Sequence, residues 1–207
     1  MRGVVLDAEA RVYLGTPGRW QYRRTYLAPD LYAWRIETAA QPDTYVFDGR
    51  VVRSFIGDSE AASDASPTAP LRSHARWTAV SLLDGLDAPD VTVAELAPAE
   101  VPAGAREALQ VRFADGGSYR LGFDDRALLV TLEGPLDLSP LVKASTATAH
   151  YADQRVTGGV MLPYRTTYVA GTERLAEESL VAACVNPPAL TPASFSGPDA
   201  LPTCERR

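Results

Sequence analysis

The sequence has few of the residues on which many common protein functions depend. In 207 residues there are two histidines, two cysteines and one lysine, Lys143. Positive charge is also scarce, because 20 lysine and arginine residues stand against 26 aspartate and glutamate residues, giving a net charge of -6. A field of that sign repels nucleic acid phosphates and anionic headgroups, so nucleic acid is excluded as an expected partner.

Long apolar runs are missing as well. No window approaches the roughly 18 apolar residues that a transmembrane helix needs, so we expect no membrane span. Met1, Arg2 and Gly3 do not lead into an apolar core of about 7 to 15 residues, so we expect no signal peptide in this chain. Contact with a membrane, if it occurs, is expected to be peripheral.

The usual catalytic and metal-binding motifs are absent from the sequence. There is no Gly-x-Ser-x-Gly elbow, no phosphate-binding Walker loop and no dinucleotide fingerprint. Neither His74 nor His150 has a second ligand at metal spacing on its own element, and adjacent carboxylates such as Glu177 and Glu178 point to opposite faces of a strand. We therefore predict no catalytic residue, no metal site and no cofactor.

The two cysteines both lie near the C-terminus, at positions 184 and 204. A disulfide between them would staple the tail to the preceding strand and contribute about 3 kcal/mol by the loop-entropy estimate. The alternative is two unrelated thiols. Composition alone leaves both open.

Alternation of apolar and polar residues runs along the whole chain. It predicts twelve strands separated by short turns that contain glycine, proline or aspartate. These segments are residues 4–14, 19–27, 31–38, 44–47, 50–56, 91–96, 108–114, 118–123, 128–133, 147–152, 162–169 and 175–184. Because such short links join sequential antiparallel neighbours, we predict a twisted antiparallel meander.

The hairpin from Asp43 to Asp58 shows how one face of this sheet becomes apolar. A two-residue Asp48-Gly49 turn would pair Phe47 with Arg50 and Tyr45 with Val52. One side would then carry large apolar residues of this hairpin and of the strand before it. These are Tyr32, Trp34, Ile36, Tyr45, Phe47, Val52 and Ile56.

One segment departs from the strand pattern. After a linker rich in Ala, Ser and Pro at residues 59–70, an apolar stripe at helical spacing predicts a single amphipathic helix over about residues 70–85. Its stripe includes Leu71, Ala75 and Leu82, and Trp77 also belongs to the predicted helix. We expect this helix to cover a face of the sheet. We predict one domain, residues 1–185, followed by an extended, proline-rich tail, residues 186–207.

Residues 26–58, YLAPDLYAWRIETAAQPDTYVFDGRVVRSFIGD, resemble the outer-membrane lipoprotein carrier and sorting family, which is LolA-like with LolB-like relatives. The resemblance implies a curved, unclosed antiparallel half-barrel of about 10 to 12 strands, with the helix over its concave face. It also implies a periplasmic or cell-envelope location. Where the carrier has an arginine before the motif's proline, this chain has Ala28, so that residue's role is not carried over.

The resemblance implies that the protein binds an acyl chain of a lipid or lipoprotein in an apolar cleft, as a monomer and without catalysis. The expected lining consists of the seven residues of the apolar side together with Trp77 and Leu82 from the helix. Two alternatives remain. One is an enzyme that uses the same half-barrel as a pocket, with His150, Arg165 or Tyr168 orienting a substrate. The other is a fully packed structural or assembly domain.

Overall fold

The protein is described here by a computed structural model that covers residues 2–61, 68–138 and 141–204. Within these ranges, 13 strands form one antiparallel sheet that does not close. The mainly β, unclosed half-barrel predicted from the sequence is confirmed. The predicted strands are all present, and the additional one is a two-residue strand at one edge.

The strands of the described chain, in order, are β1 Gly3–Val12, β2 Gly18–Leu27, β3 Leu31–Glu37, β4 Asp43–Phe47, β5 Val52–Ile56, β6 Ser59–Glu60, β7 Val91–Glu95, β8 Glu107–Phe113, β9 Ser118–Phe123, β10 Leu129–Leu138, β11 Val142–Thr157, β12 Val160–Ala170 and β13 Glu173–Val185. Two helices, α1 Thr68–Trp77 and α2 Ala79–Asp84, lie between β6 and β7.

The chain begins in the middle of the sheet. From β1 it proceeds by antiparallel neighbours to β6 at one edge, and the segment that contains both helices then leads to β7 at the opposite edge. From β7 the strands return in sequence until β13 pairs with β1. Because the helical segment connects the two edges, it must cross a face of the curved sheet.

The β4–β5 hairpin differs from the prediction in its turn. Phe47 pairs with Val52 and Tyr45 with Ser54, so four residues rather than two form the connection. The Asp48 carboxylate accepts hydrogen bonds from the backbone N–H groups of Arg50 and Val51, each at 3.0 Å, which favours the longer loop. The register is shifted by two residues, and an even shift leaves every side chain on its predicted face.

The predicted single helix is two helices, and the break is at Thr78, whose backbone is extended with φ -90° and ψ 106°. Side-chain hydroxyl groups donate to carbonyl oxygens around the break. Tyr151 donates to the Trp77 carbonyl oxygen at 3.2 Å, and the Ser81 hydroxyl donates to the carbonyl oxygens of Ala75 and Thr78. In the described part of the chain, neither helix is long and apolar enough to cross a membrane.

Apolar residues are buried on both faces of the sheet. The larger core lies on the concave face, between the sheet and the helices. The smaller core lies on the convex face, where Val5, Ala33, Val46 and Phe55 pack with residues of the tail.

The tail is not simply extended chain. It contains two 3₁₀ helices, Pro192–Ser196 and Pro198–Ala200, and it buries Leu190, Phe195 and Leu201 against the convex face. A disulfide joins Cys184 of β13 to Cys204, so the tail is attached to the sheet at its far end. Of the predicted linker, residues 62–67 lie outside the described residues, as do the last three residues of the predicted tail.

Candidate functional site

A cleft of about 730 Å³ lies between the two helices and the two end regions of the sheet. One wall comes from β2 to β5 and their turns, and the opposite wall comes from β7 and β8. Strands near the two opposite edges of the sheet therefore line the same cavity. The sheet is thus curved enough to bring its two edges towards each other without pairing them.

The interior of the cleft is mainly apolar and aromatic. The residues with apolar side chains along it are Tyr26, Pro29, Tyr32, Phe47, Val52, Leu71, Ala75, Leu82, Ala88, Val91, Phe113 and Ala114. Four residues of the lining predicted from the sequence, Tyr32, Phe47, Val52 and Leu82, are among them. The other five lie elsewhere.

Trp34, Ile36 and Trp77 lie in the packed core. Trp34 is only 1% exposed, and its ring centroid lies 3.5 Å from that of His74 on α1. Trp77 is equally buried and donates its indole N–H to the Pro135 carbonyl oxygen at 2.9 Å. These large side chains fill the space beneath the helices, so a guest molecule would have to displace them to reach that part of the sheet.

Tyr45 and Ile56 lie outside the cleft for different reasons. Tyr45 is half-buried and stacks on Trp34, with ring centroids 5.8 Å apart. Ile56 is the last residue of β5 and is 47% exposed. Both side chains lie on the side of the sheet that was predicted, but neither lines the cleft.

Three charged residues at the rim of the cleft were not anticipated from the sequence. Arg76 of α1 donates to the Asp115 carboxylate at 2.8 Å, and Arg72 lies 3.9 Å from the same carboxylate. Burial alone would raise the pKa of Asp115, but hydrogen bonds from Arg76 and from the Gly117 backbone N–H outweigh it and hold the pKa below its usual value. The i, i+4 spacing of the arginines was visible in the sequence, whereas their proximity to the β8–β9 turn was not.

A second polar group lies deeper, beneath α2. The guanidinium group of Arg24 donates to both carboxylate oxygens of Glu178, and the hydroxyl groups of Tyr22 and Tyr168 donate to one of them. Burial raises the pKa of both tyrosines. The sequence did carry a signal here, because Arg24 and Glu178 occupy inward positions in strands whose other inward residues are apolar or aromatic.

The three residues considered for an enzymatic pocket do not meet. His150 pairs with Thr167 and Arg165 with Ala152, and both side chains are exposed. Tyr168 is buried on the concave face, beside Glu178. His150 and Arg165 are therefore separated by the sheet from the side on which the cleft lies.

Comparison with known proteins shows similarity at the level of structure. No protein-family model matches the chain, and no curated protein matches its sequence. A LolA superfamily protein from Nitrosomonas europaea superposes with a TM-score of 0.55 and 12% identity, covering 97% of this chain and 91% of that protein. A putative outer membrane lipoprotein-sorting protein domain from Vibrio parahaemolyticus gives 0.58 and 10%, covering 94% and 89%.

A member of the DUF1329 family from Desulfovibrio piger is also similar, with a TM-score of 0.55, 11% identity and coverage of 94% of this chain and 90% of that one. These likenesses extend over almost the whole of each chain. The chain therefore has the LolA-like fold that the segment Tyr26 to Asp58 indicated.

Proposed function

We propose that the protein binds an acyl chain of a lipid or lipoprotein in the cleft between its helices and the two end regions of the sheet. The observation that carries this proposal is the apolar space that the chain's own side chains leave open there. Its volume of about 730 Å³ lies within the range of ligand pockets, roughly 300 to 1,000 Å³. Each methylene group that moves from water into such a space contributes about 0.8 kcal/mol.

The chemistry of the lining supports a guest without many polar groups. Phe47 and Val52 on one wall and Val91 and Phe113 on the other offer no hydrogen-bond donors or acceptors from their side chains. Tyr32, which also lines the cleft, already has Thr78 as a partner at 3.3 Å between the two hydroxyl oxygens. An extended hydrocarbon chain could pack against these walls without leaving polar groups unpaired. Binding of such a chain requires no catalytic group.

The fold supports the biological setting that we propose. One structure with this fold is described as a putative outer membrane lipoprotein-sorting protein domain. By that analogy we place the protein in the periplasm or cell envelope, as a monomeric carrier that contacts membranes only peripherally. Its guest would then be a lipid or the acylated end of a lipoprotein.

Binding of a neutral fluorescent probe, N-phenyl-1-naphthylamine, to protein purified without detergent tests the proposal. We expect saturable fluorescence enhancement that hexadecanol displaces. Replacing Val52→Glu should weaken binding by about tenfold or more, because a carboxylate in the apolar wall loses its hydration. Native mass spectrometry of the same preparation should show the mass of a bound lipid.

Val51→Glu is the matched control. Val51 is the neighbour of Val52 and is 55% exposed, so the same substitution there should leave probe binding unchanged. Thermal unfolding of both variants establishes that they are folded. Equal binding by the two variants, or absence of saturable binding to the folded wild-type protein, would contradict the proposal.

A further inference from the structure

One face of α1 combines apolar and cationic residues along the cleft. Leu71 and Ala75 line the cleft and are one helical turn apart. Arg72 and Arg76 also line the cleft, and each follows one of these apolar residues in the sequence. Residues four apart lie on the same side of a helix, so the two pairs form adjacent stripes. The helix thus presents hydrocarbon and positive charge to the same cavity, side by side.

Arg76 is held in a fixed position at this rim. Its guanidinium carbon lies 3.8 Å from the centroid of the Phe113 ring, and one of its nitrogen atoms donates to Asp115 at 2.8 Å. Phe113 also lines the cleft, so Arg76 lies at the boundary between apolar wall and solvent. A stacked, hydrogen-bonded guanidinium group loses little conformational freedom when a further ligand binds.

Arg72 is less constrained. Its side chain is 53% exposed, and its nearest guanidinium nitrogen is 3.9 Å from the Asp115 carboxylate, beyond direct hydrogen-bond distance. It therefore retains donors that can reach a ligand at the mouth of the cleft.

The charge of this cluster favours an anion. Two guanidinium groups face one carboxylate, and the lowered pKa of Asp115 keeps that carboxylate ionised at neutral pH, so the cluster carries one net positive charge. Two other carboxylates line the cleft, Asp30 in the β2–β3 turn and Asp90 just before β7. Because they repel an anion, an anionic group in the cleft is stabilised only where it contacts the arginines.

Resting on the proposed function, we infer that Arg72 and Arg76 bind the anionic headgroup of the amphiphile whose hydrocarbon chain occupies the cleft. The ligand class is a single-chain or acylated molecule with a carboxylate or phosphate at its polar end. Arginine suits either group, because its planar fork can donate two hydrogen bonds to an oxyanion. The two arginines would select for headgroup charge, while the apolar walls bind the chain.

Displacement of N-phenyl-1-naphthylamine by three C16 ligands tests this inference: hexadecanoate, hexadecyl phosphate and hexadecanol, at pH 8 and constant ionic strength. We expect at least one of the two anions to bind about tenfold more tightly than the alcohol, as a charge-assisted hydrogen bond would give. Comparison of the carboxylate with the phosphate identifies the headgroup. Arg72→Gln and Arg76→Gln should each reduce the preference and leave affinity for hexadecanol unchanged.

Arg112→Gln is the matched control, because Arg112 is exposed and precedes Phe113 on β8, pointing to the opposite face. It should retain the full preference. If the Arg76→Gln variant is unstable because the stacking of Arg76 on Phe113 is lost, the result for Arg72→Gln alone tests the inference. Binding of all three ligands with equal affinity, or an unchanged preference in Arg72→Gln, would overturn this inference but not the proposed function. Failure of any ligand to bind the wild-type protein would overturn both.

Discussion

Arg24 of β2 and Glu178 of β13 form a bidentate ion pair across β1, with nitrogen to oxygen distances of 2.9 and 2.7 Å. Both side chains are only 4% exposed. Arg24 pairs with Leu6 of β1 and Glu178 with Ala10, and Ala8 lies between these two inward residues, so its small side chain leaves room for the ion pair above the sheet. A charge pair of this kind is tolerated in a core only while both partners are present.

Replacing Glu178→Gln should therefore destabilise the protein by about 3 to 5 kcal/mol, because the Arg24 guanidinium would remain buried without its counter-charge. Urea denaturation measures the change. The double variant Arg24→Met, Glu178→Leu should recover much of the loss. The exposed pair of Asp153 and Arg155 is the control, and Asp153→Asn should leave the urea midpoint unchanged. Equal effects of Glu178→Gln and Asp153→Asn would contradict the prediction.

A second prediction concerns the stability that the disulfide contributes. Cys184 and Cys204 are 20 residues apart, and a closed loop of about that length restricts the unfolded chain by about 3 kcal/mol. The variant with both cysteines changed to alanine should lose about that much stability, measured by urea denaturation. Limited proteolysis should then cut the tail near Phe195, which is 1% exposed in the intact protein. A tail that remains resistant after the change would show that packing alone holds it.

The buried tyrosines, of which Tyr22, Tyr32, Tyr151 and Tyr168 are four, lead us to predict a loss of stability at alkaline pH. Burial raises the pKa of Tyr32 to about 12 and the pKa values of Tyr22, Tyr151 and Tyr168 above the usual value near 10. Above pH 10 the unfolded chain loses these protons while the folded protein keeps them. The unfolded state then binds fewer protons, so the free energy of unfolding must fall as the pH rises from about 10 towards 12.

Guanidinium denaturation at a series of pH values measures this decline, and absorbance at 295 nm follows ionisation. Tyr32→Phe should show a shallower decline than the wild-type protein, because it removes one of the contributing groups. Ionisation of all nine tyrosines near pH 10 with the fold intact would be inconsistent with the burial described above.

Replacement of Gly134 of β10 by alanine is predicted to disturb the packing of the core. A Cβ atom at this position would lie 2.4 Å from a ring carbon of Tyr119, too close for the ring to stay in place. Tyr119 packs edge-on against both Trp77 and Phe113, so its displacement would disturb the core under α1 and the cleft wall. Gly134→Ala should cost about 1 to 3 kcal/mol. Gly197→Ala, where the backbone is extended and the added atom meets open space, should be tolerated, as thermal unfolding of both variants would show.

The strands and their faces could be predicted from the sequence because alternation is a local property. The β4–β5 hairpin shows the limit of that reasoning. The Asp48 carboxylate stabilises a four-residue loop, a choice that depends on hydrogen bonds rather than on the pattern, yet the two-residue shift left Tyr45, Phe47 and Val52 on the predicted side. The break at Thr78 was missed because helical spacing continues across it.

The cleft could be predicted only in part, because some of its lining comes from the far edge of the sheet. Tyr32, Phe47 and Val52 belong to the hairpins that first indicated an apolar side, whereas Val91 and Phe113 reach the cleft only through the curvature of the whole sheet. Trp34 was assigned to the lining because strand alternation places it on the apolar side of the predicted sheet. It is instead covered by His74, a contact between segments 40 residues apart in sequence that no local pattern reveals.

The position of β1 in the middle of the sheet has a consequence for folding. Val4 pairs with Val185 and Val12 with Ala176, so β1 completes its hydrogen bonds only when β13, the last strand of the sheet in sequence order, is in place. Until then one edge of β1 is exposed, and such an edge can pair with the wrong strand or with another molecule. Completion of the sheet at β1 therefore depends on a contact between segments that are far apart in sequence.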